Sequence, residues 1–257
     1  MDALFRKRIG LADEEPITFE KLDEILEKTA RTIPFENLRI TNQETLDITN
    51  ESLIDKMLAR NEGGLCYELN GLLYLFLLEN DFDVTLVRGD VFNSETGEWT
   101  NLGRTHVAII LRHGGQDYLV DTGFGGNLPL KPVPMNGVIV TSSNGQFKVE
   151  ASTSDYGDYV LMLKLAHKDN DWRIGYVIDS KRSVKNLSEF NEIQEALMEN
   201  ERSPFNKGPL LMKFTDEGTV SLTDKTLTRW INGKVHKDKI SEKAFLEHVR
   251  KMFGIIN

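Results

Sequence analysis

The sequence of 257 residues contains a single cysteine, Cys66. One cysteine excludes an internal disulfide and makes a cysteine-based metal site implausible. None of the five histidines forms a pair with the spacing of zinc ligands, so we expect no metal. A reducing compartment would keep the lone thiol usable, which favours a cytoplasmic protein.

Long apolar runs and an excess of positive charge are also missing. The longest apolar run, residues 72–78, is far shorter than the roughly 20 residues that span a bilayer. Residues 1–8 carry charges where a signal peptide needs an apolar stretch. The net charge of −9 disfavours nucleic acid and anionic membrane surfaces as partners. We therefore expect a soluble cytoplasmic chain without nucleic-acid or membrane partners.

Nucleotide motifs are absent as well. Neither a Walker motif nor a dinucleotide-binding glycine pattern occurs, which makes nucleoside triphosphates and nicotinamide cofactors unlikely ligands. The hydrophobic content of 40% is enough for a normal packed core, and the length suits one large domain or two to three small ones.

Cys66 stands at a position that favours a thiolate. It follows Gly63, Gly64 and Leu65, and the pattern predicts a helix from residue 67 to about residue 79. Glycines let the backbone approach a ligand closely, and the unpaired N–H groups and positive dipole end of a helix N-terminus stabilise an anion. The alternative is a small buried hydrophobe, which is the usual state of a free cysteine.

A predicted hairpin brings a histidine and an aspartate together. Residues 105–111 and 117–121 have strand-like patterns, and Gly114 and Gly115 between them favour a tight turn. A two-residue turn places His106 diagonal to Asp121 on the same face, where Cα atoms lie roughly 7–8 Å apart. A three-residue turn would point the two side chains to opposite faces.

These three residues have the chemistry of a nucleophilic triad. His106 would take the proton of Cys66, and Asp121 would fix the tautomer of His106 and stabilise its imidazolium. Taken singly, His106 also fits a core or surface histidine, and Asp121 fits a turn-forming carboxylate. A cysteine hydrolase, a transglutaminase-like enzyme and a non-catalytic binding protein remain alternatives.

Four segments in this order resemble the signatures of the arylamine N-acetyltransferases. They are residues 34–38 (PFENL), 63–71 (GGLCYELNG), 105–107 (THV) and 120–125 (VDTGFG). The resemblance implies an α+β fold with a helical region, a central β-barrel or sandwich and a C-terminal α/β lid, on a core related to cysteine proteases and transglutaminases. It also implies that Cys66, His106 and Asp121 are the catalytic triad.

The resemblance further implies the substrates. Acetyl-CoA would acetylate Cys66, and a small aromatic amine or hydrazine would then accept the acetyl group in a ping-pong reaction. Phe35 and Phe124 would line the acceptor slot. Contacts to coenzyme A are expected from Thr105, Gly123, Gly125 and Gly126, and the glycine-rich segment can offer successive N–H groups to phosphate. The oligomeric state and the preferred acceptor are not indicated.

Glu62 departs from the family pattern, which has arginine immediately before the Gly-Gly pair. That arginine is expected to pair with the residue that is Glu36 here. Either Arg60 takes over the pairing or other contacts hold the loop, and Glu62 itself could be solvated without a partner. On this reasoning, Glu62→Arg would restore a partner for Glu36 and leave catalysis intact or raise thermal stability.

Periodicity predicts the remaining elements. Residues 19–33 form an amphipathic helix behind Thr18 as N-cap, residues 188–200 form another, and Ser241 caps the last helix. Short β-like runs fill residues 84–179, and residues 141–157 have the composition of a loop. The expected domains are 1–83, carrying the nucleophile, 84–185, carrying His106 and Asp121, and 186–257, the lid.

Overall fold

A computed structural model describes residues 1–12, 15–100, 102–166 and 168–256. His167 lies outside the described residues. The helices of the described part are α1 Asp2–Ile9, α2 Leu22–Thr32, α3 Leu38–Asn42, α4 Asn50–Ile54, α5 Cys66–Glu79, α6 Phe190–Glu199 and α7 Glu242–Phe253. No helix in the described ranges is both long and apolar enough to cross a membrane.

Of the strands in the described residues, β1 precedes α5 in the chain and the others come after it. They are β1 Phe35–Glu36, β2 Asp83–Asn93, β3 Glu98–Trp99, β4 His106–His113, β5 Gln116–Val120, β6 Val133–Pro134, β7 Val140–Ser142, β8 Gly145–Ser154, β9 Gly157–Leu165, β10 Arg173–Ser183, β11 Leu210–Thr215, β12 Gly218–Thr223, β13 Thr226–Ile231 and β14 Lys234–Lys239. The chain therefore has the predicted α+β class.

Helix α5 is the centre of the molecule. It is apolar on nearly all sides, as expected for a helix surrounded by protein, and most of its residues are buried. Gly71 lets two neighbours approach, because a Cβ there would lie 3.0 Å from Leu53 of α4 and 3.4 Å from Phe190 of α6. The first residue of this buried helix is Cys66, one position earlier than the sequence predicts.

The larger sheet of the described residues is antiparallel, with the order β6-β5-β4-β2-β10-β9-β8-β7 and β3 beside β2. The hairpin of β4 and β5 has the predicted two-residue turn, since His113 pairs with Gln116 and Ile109 pairs with Val120. The register prediction is therefore confirmed. The inner face of this sheet buries Phe147 and Tyr176 completely.

The prediction of a loop over residues 141–157 is wrong. Strand β8 occupies most of this segment, with Gly145, Phe147 and Val149 buried and the residues between them more exposed. The segment is an amphipathic strand, and its polar half gives it the composition of a loop.

The chain after β10 adds a second sheet, with the order β1-β11-β12-β13-β14. The predicted hairpin at residues 216–218 is confirmed by the pair Thr215 and Gly218. Ser241 caps α7 as predicted, with its Oγ accepting from the backbone N–H of Ala244 at 3.3 Å. Thr18 makes no such cap bond, and α2 begins at Leu22 after a turn of 3₁₀ helix.

The second sheet and α6 connect the predicted domains. Strand β1, from the first predicted domain, pairs with β11 of the third. Leu187, Phe190 and Ile193 belong to the same hydrophobic cluster as the apolar residues of α5. The domain boundaries after residues 83 and 185 stay a prediction.

Candidate active site

Cys66 lies at the N-terminus of α5 with only 7% of its surface exposed. Its thiol donates to the carbonyl oxygen of Thr105 at 3.3 Å. Thr105 directly precedes β4, so this contact fixes the sulfur against the start of the strand that carries His106. The expected role of Thr105 toward coenzyme A stays a prediction.

His106 and Asp121 meet as the hairpin register predicts. The distance between His106 Nε2 and Asp121 Oδ2 is 2.9 Å, and both side chains are buried. The Cys66 thiol lies near enough to the His106 ring to help raise its pKa. Because Nε2 faces the carboxylate, the other ring nitrogen is the one available to the sulfur. The three predicted catalytic side chains therefore form one connected group.

Two residues that sequence reasoning missed complete the site. Asn70 Nδ2 donates to Asp121 Oδ1 at 2.8 Å, and the hydroxyl of Tyr176 donates to Asp121 Oδ2 at 2.8 Å. The backbone N–H of Gly123 donates to Oδ1 at 2.6 Å. Asn70 had a sequence signal, since it stands four residues after Cys66 and so lies on the same helix face. Tyr176 had none, because β10 is remote in the chain.

The electrostatics favour a protonated histidine. Burial alone would lower the pKa of His106, but the Asp121 carboxylate and the Cys66 thiol outweigh it and raise the pKa to about 10. Burial and the neighbouring Asp121 raise the pKa of Tyr176 well above its usual value, so its hydroxyl stays a donor. An imidazolium beside the sulfur stabilises a thiolate.

The glycine segment after Asp121 packs on the nucleophile. A Cβ at Gly123 would lie 2.5 Å from Cys66 Cα, so only glycine fits there. The N–H of Gly123 is already bonded to Asp121 and is thus engaged within the site. Gly125 and Gly126 face Met212 instead, at 3.6 and 3.0 Å from their Cβ positions to its sulfur.

The two predicted acceptor phenylalanines lie close to these glycines. The Phe124 ring centre is 5.3 Å from that of His106 and 4.9 Å from that of Tyr176. Phe35 pairs with Met212 across β1 and β11. A cleft of about 390 Å³ reaches Gly126, Asn127, Met212, Phe214 and Trp230. The contacts of these residues with substrate stay a prediction.

Glu62 has a partner, and Arg60 does not take over the expected pairing with Glu36. Arg39 binds Glu62 through two contacts, Nε to Oε2 at 2.8 Å and Nη2 to Oε1 at 3.1 Å. Arg60 pairs with Asp55. The cation nearest to Glu36 is Lys56, with Nζ 3.6 Å from Oε1. Other contacts therefore hold the loop, and the interpretation of Glu62 as an unpartnered, solvated residue is wrong.

Comparison with known proteins places these features in context. An N-acetyltransferase family model matches residues 18–256. The uncharacterized acetyltransferase YvcN of Bacillus subtilis is 35% identical over 242 residues, which are 94% of this chain and 93% of that protein. The structure of arylamine N-acetyltransferase C from Bacillus anthracis is 37% identical, with a TM-score of 0.93 over 98% of this chain and 97% of its own.

A second solved structure is similar along its whole length. The arylamine N-acetyltransferase of Bacillus cereus is 36% identical, with a TM-score of 0.94 over 100% of this chain and 98% of its own. It is described as having a unique Cys-His-Glu catalytic triad. The corresponding group in this chain contains an aspartate, Asp121.

The ion pair of Arg39 and Glu62 reverses the expectation for Glu62→Arg. The new arginine would face Arg39, so we expect the free energy of unfolding to fall by about 2 kcal/mol through loss of a charge-assisted contact and like-charge repulsion. Urea unfolding measures this change. Glu51→Arg, on the exposed face of α4, is the control, and an unchanged or higher stability of Glu62→Arg would contradict the pairing.

The close approach of Gly123 to Cys66 gives a second prediction. Gly123→Ala has to displace the nucleophile backbone, so we expect the alkylation rate of Cys66 by iodoacetamide at pH 7 to fall by at least about tenfold. Gly208→Ala is the matched control, since a Cβ at Gly208 meets nothing within 4 Å. Equal alkylation rates in both variants would refute the packing argument.

His106 makes stability depend on pH. Its pKa is about 10 in the folded protein and 6.5 in an unperturbed side chain, so between these values the folded state holds a proton that the unfolded chain releases. The stability from this group is fully present below pH 6.5 and is lost as the pH rises through about 10. The slope approaches about 1.4 kcal/mol per pH unit.

Cys66→Ala is the background for this measurement, because a thiolate in the folded state would release a proton and offset the effect. Asp121 still raises the pKa of His106 in that background. We expect its free energy of unfolding in urea to fall between pH 7 and pH 9. Adding His106→Gln should remove the fall, and parallel pH curves for the two variants would speak against the raised pKa.

Proposed function

The chain belongs to the arylamine N-acetyltransferase family, and from this premise we propose that it carries an acetyl group from acetyl-CoA to the nitrogen of a small aromatic amine or hydrazine. The acetyl group would travel as a thioester on Cys66, so that the reaction is ping-pong. The chain is an acetyltransferase by its family membership. The proposal adds the identity of the acyl donor, of the acceptor and of the catalytic residues.

One observation carries the proposal, namely the hydrogen bond between His106 and Asp121 at the start of β4, where the Cys66 sulfur lies 3.3 Å from the carbonyl oxygen of Thr105, the residue before His106. A cysteine at a helix N-terminus beside an imidazolium is an activated nucleophile. Asp121 orients the ring and stabilises its positive charge. Asn70 and Tyr176 hold the carboxylate in turn.

The first half-reaction acetylates the enzyme. The Cys66 thiolate attacks the thioester carbonyl of acetyl-CoA, the bond from that carbonyl to the coenzyme sulfur breaks, and His106 gives its proton to the departing sulfur. The products are acetyl-Cys66, free coenzyme A and neutral His106.

The second half-reaction returns the enzyme to its starting state. The amine nitrogen attacks the acetyl-Cys66 carbonyl, His106 takes a proton from the nitrogen, and the bond to the Cys66 sulfur breaks. The N-acetylated product leaves a thiolate and an imidazolium. Because His106 gives and takes one proton per cycle, no other acid is required.

The surroundings of the triad suit the proposed substrates. Phe35, Phe124 and Met212 offer apolar surface to an aromatic acceptor, and the cleft beside Gly126 offers a route for the donor. Gly125 and Gly126 are better placed than Gly123 to present backbone N–H groups to coenzyme A, because the N–H of Gly123 is bonded to Asp121.

Two alternatives use the same scaffold. A cysteine hydrolase or a transglutaminase-like enzyme shares the chemistry up to the acyl-cysteine and differs in the acceptor. Release of coenzyme A that continues over many turnovers without amine would favour the hydrolase, since the transferase releases only one coenzyme A per enzyme before the acceptor binds. A non-catalytic binding protein was suggested by Glu62, but the contacts of Arg39 and Lys56 hold the loop and remove that reason.

The proposal predicts a mass increase of one acetyl group on Cys66. After brief exposure to acetyl-CoA without acceptor, intact-mass and peptide measurements should find it in the unaltered protein. An arylamine such as aniline should then discharge it. Cys66→Ser should lose at least about 10³-fold in rate, because an alcohol ionises far less readily than a thiol. Full activity of Cys66→Ser, or acetylation elsewhere, would exclude the mechanism.

A further inference from the structure

A buried lysine lies beneath the loop that carries the nucleophile and has no part in the chemistry above. Lys56 is 4% exposed, and its Nζ lies 2.6 Å from Glu68 Oε1 and 3.6 Å from Glu36 Oε1. Both carboxylates are buried as well, at 5% and 1% exposure. An ammonium group is strongly disfavoured in such surroundings unless it is paired, so its place between two carboxylates is highly specified.

A local change of helix geometry turns Lys56 inward. Residues Asp55–Ala59 form a π-helical turn directly after α4, in which the N–H of Arg60 donates to the carbonyl of Asp55 at 2.9 Å. The wider turn buries Lys56, Met57 and Leu58 in succession while Asp55 and Arg60 stay exposed. Single π turns inserted in this way are frequent at functional sites.

Each residue that Lys56 pairs with also holds the backbone near Cys66, Glu68 through its carboxylate and Glu36 through its backbone N–H. Glu68 Oε2 accepts from the N–H of Leu65, the residue before Cys66, at 2.9 Å. The backbone N–H of Glu36 donates to the carbonyl of Gly64 at 3.0 Å, and Glu36 Oε2 accepts from the N–H of Leu38 at 2.6 Å. The ammonium group is thus linked through one partner to each side of the loop at residues 63–65.

The charge balance of the cluster depends on this one lysine. Burial alone would lower the pKa of Lys56, but Glu68 and Glu36 outweigh it, so the pKa is raised and the ammonium stays charged. Burial raises the pKa of Glu36, and Lys56 opposes that rise. Without Lys56, the two buried carboxylates would keep only a weaker interaction with Arg39, whose guanidinium is bonded to Glu62.

We propose that Lys56 is a positioning residue for Cys66. This proposal rests on the assignment of Cys66 as nucleophile in the proposed function. Lys56 pairs with Glu36 and Glu68, and these two residues hold the loop at residues 63–65 and the first turn of α5. The sulfur then stays against the Thr105 carbonyl and His106. Lys56 acts through these two residues and touches neither substrate nor the reacting atoms.

Lys56→Met tests the proposal, with Lys56→Arg as the conservative variant and Arg60→Met as the control. Arg60 lies in the same segment, but its pair with Asp55 is exposed. Three readouts are measured on each variant: the iodoacetamide alkylation rate of Cys66 as a function of pH, kcat and KM for acetyl transfer, and the melting temperature.

We expect Lys56→Met to shift the alkylation profile to higher pH by about one unit and to slow alkylation at pH 7 about tenfold. Both the lost positive charge and the loosened loop act in this direction. The value of kcat should fall at least about tenfold with KM changed less than about twofold, since the acetyl donor and acceptor contacts are untouched. Lys56→Arg should recover most of the alkylation rate, and Arg60→Met should match the unaltered protein.

A purely structural lysine would give a different result. Lys56→Met would then melt at a lower temperature but show an unchanged alkylation profile and kcat below that temperature, and the proposal would be wrong. If Lys56→Met yields only insoluble protein, Glu68→Gln decides the matter, because it breaks the same ion pair and leaves Lys56 paired with Glu36. Unchanged alkylation and kcat in Glu68→Gln would overturn the proposal, and a loss of kcat would support it.

The alkylation readout separates this inference from the proposed function. Should the unaltered protein transfer no acetyl group while its alkylation still depends on Lys56, the positioning role holds and the proposed function fails. Acetyl transfer that proceeds at the same rate in Lys56→Met would support the proposed function and overturn the positioning role.

Discussion

The Asp121 carboxylate is the group around which the site is built. Its two oxygens take four hydrogen bonds, from Asn70, Gly123, Tyr176 and His106, which arrive from α5, the turn after β5, β10 and β4. A buried carboxylate is costly without such partners, and with them it holds the neighbouring ring in place. The same bonds tie the helix that begins at Cys66 to the strand that begins at His106.

Helix α5 imposes the second constraint. It is surrounded by protein, and its first residue is Cys66, so the sulfur is fixed by the packing of the whole helix. Gly123 closes over it with no room for a side chain. On the other side, the buried cluster of Lys56, Glu36 and Glu68 holds the loop at residues 63–65, which precedes the helix. The position of the Cys66 sulfur is thereby restrained by the packing of α5, by Gly123 and by the buried cluster, as a pre-organised site requires.

Local patterns allowed part of this to be predicted. Gly114 and Gly115 fix the hairpin register, and the register alone brings His106 and Asp121 to one face. The two glycines before Cys66 mark the helix start to within one residue. The α+β class and the family follow from four short segments. The contact of Tyr176 with Asp121 could not be predicted, because β10 and the end of β5 are far apart in the chain and two other strands lie between them in the sheet.

The errors have physical reasons as well. The serines and threonines of residues 141–157 lie at exposed or half-buried positions, and that composition hides the buried alternation of β8. The burial of Lys56 was not predicted, because it depends on the π-helical turn at Asp55–Ala59, and a single turn of this kind leaves no recognisable pattern in the sequence. The partner of Glu62 could not be predicted, since Arg39 reaches it from α3. The spacing along the chain offered Arg60 as a partner of Glu36, whereas the structure pairs Glu36 with Lys56.

The full set of bonds on Asp121 bears on how such triads diverge. A related enzyme uses glutamate as its third member, yet in this chain a side chain longer by one methylene would push its oxygens into Asn70, Tyr176 or the Gly123 backbone. The length of the acid is therefore matched to the amide, the phenol and the glycine turn that surround it in this chain.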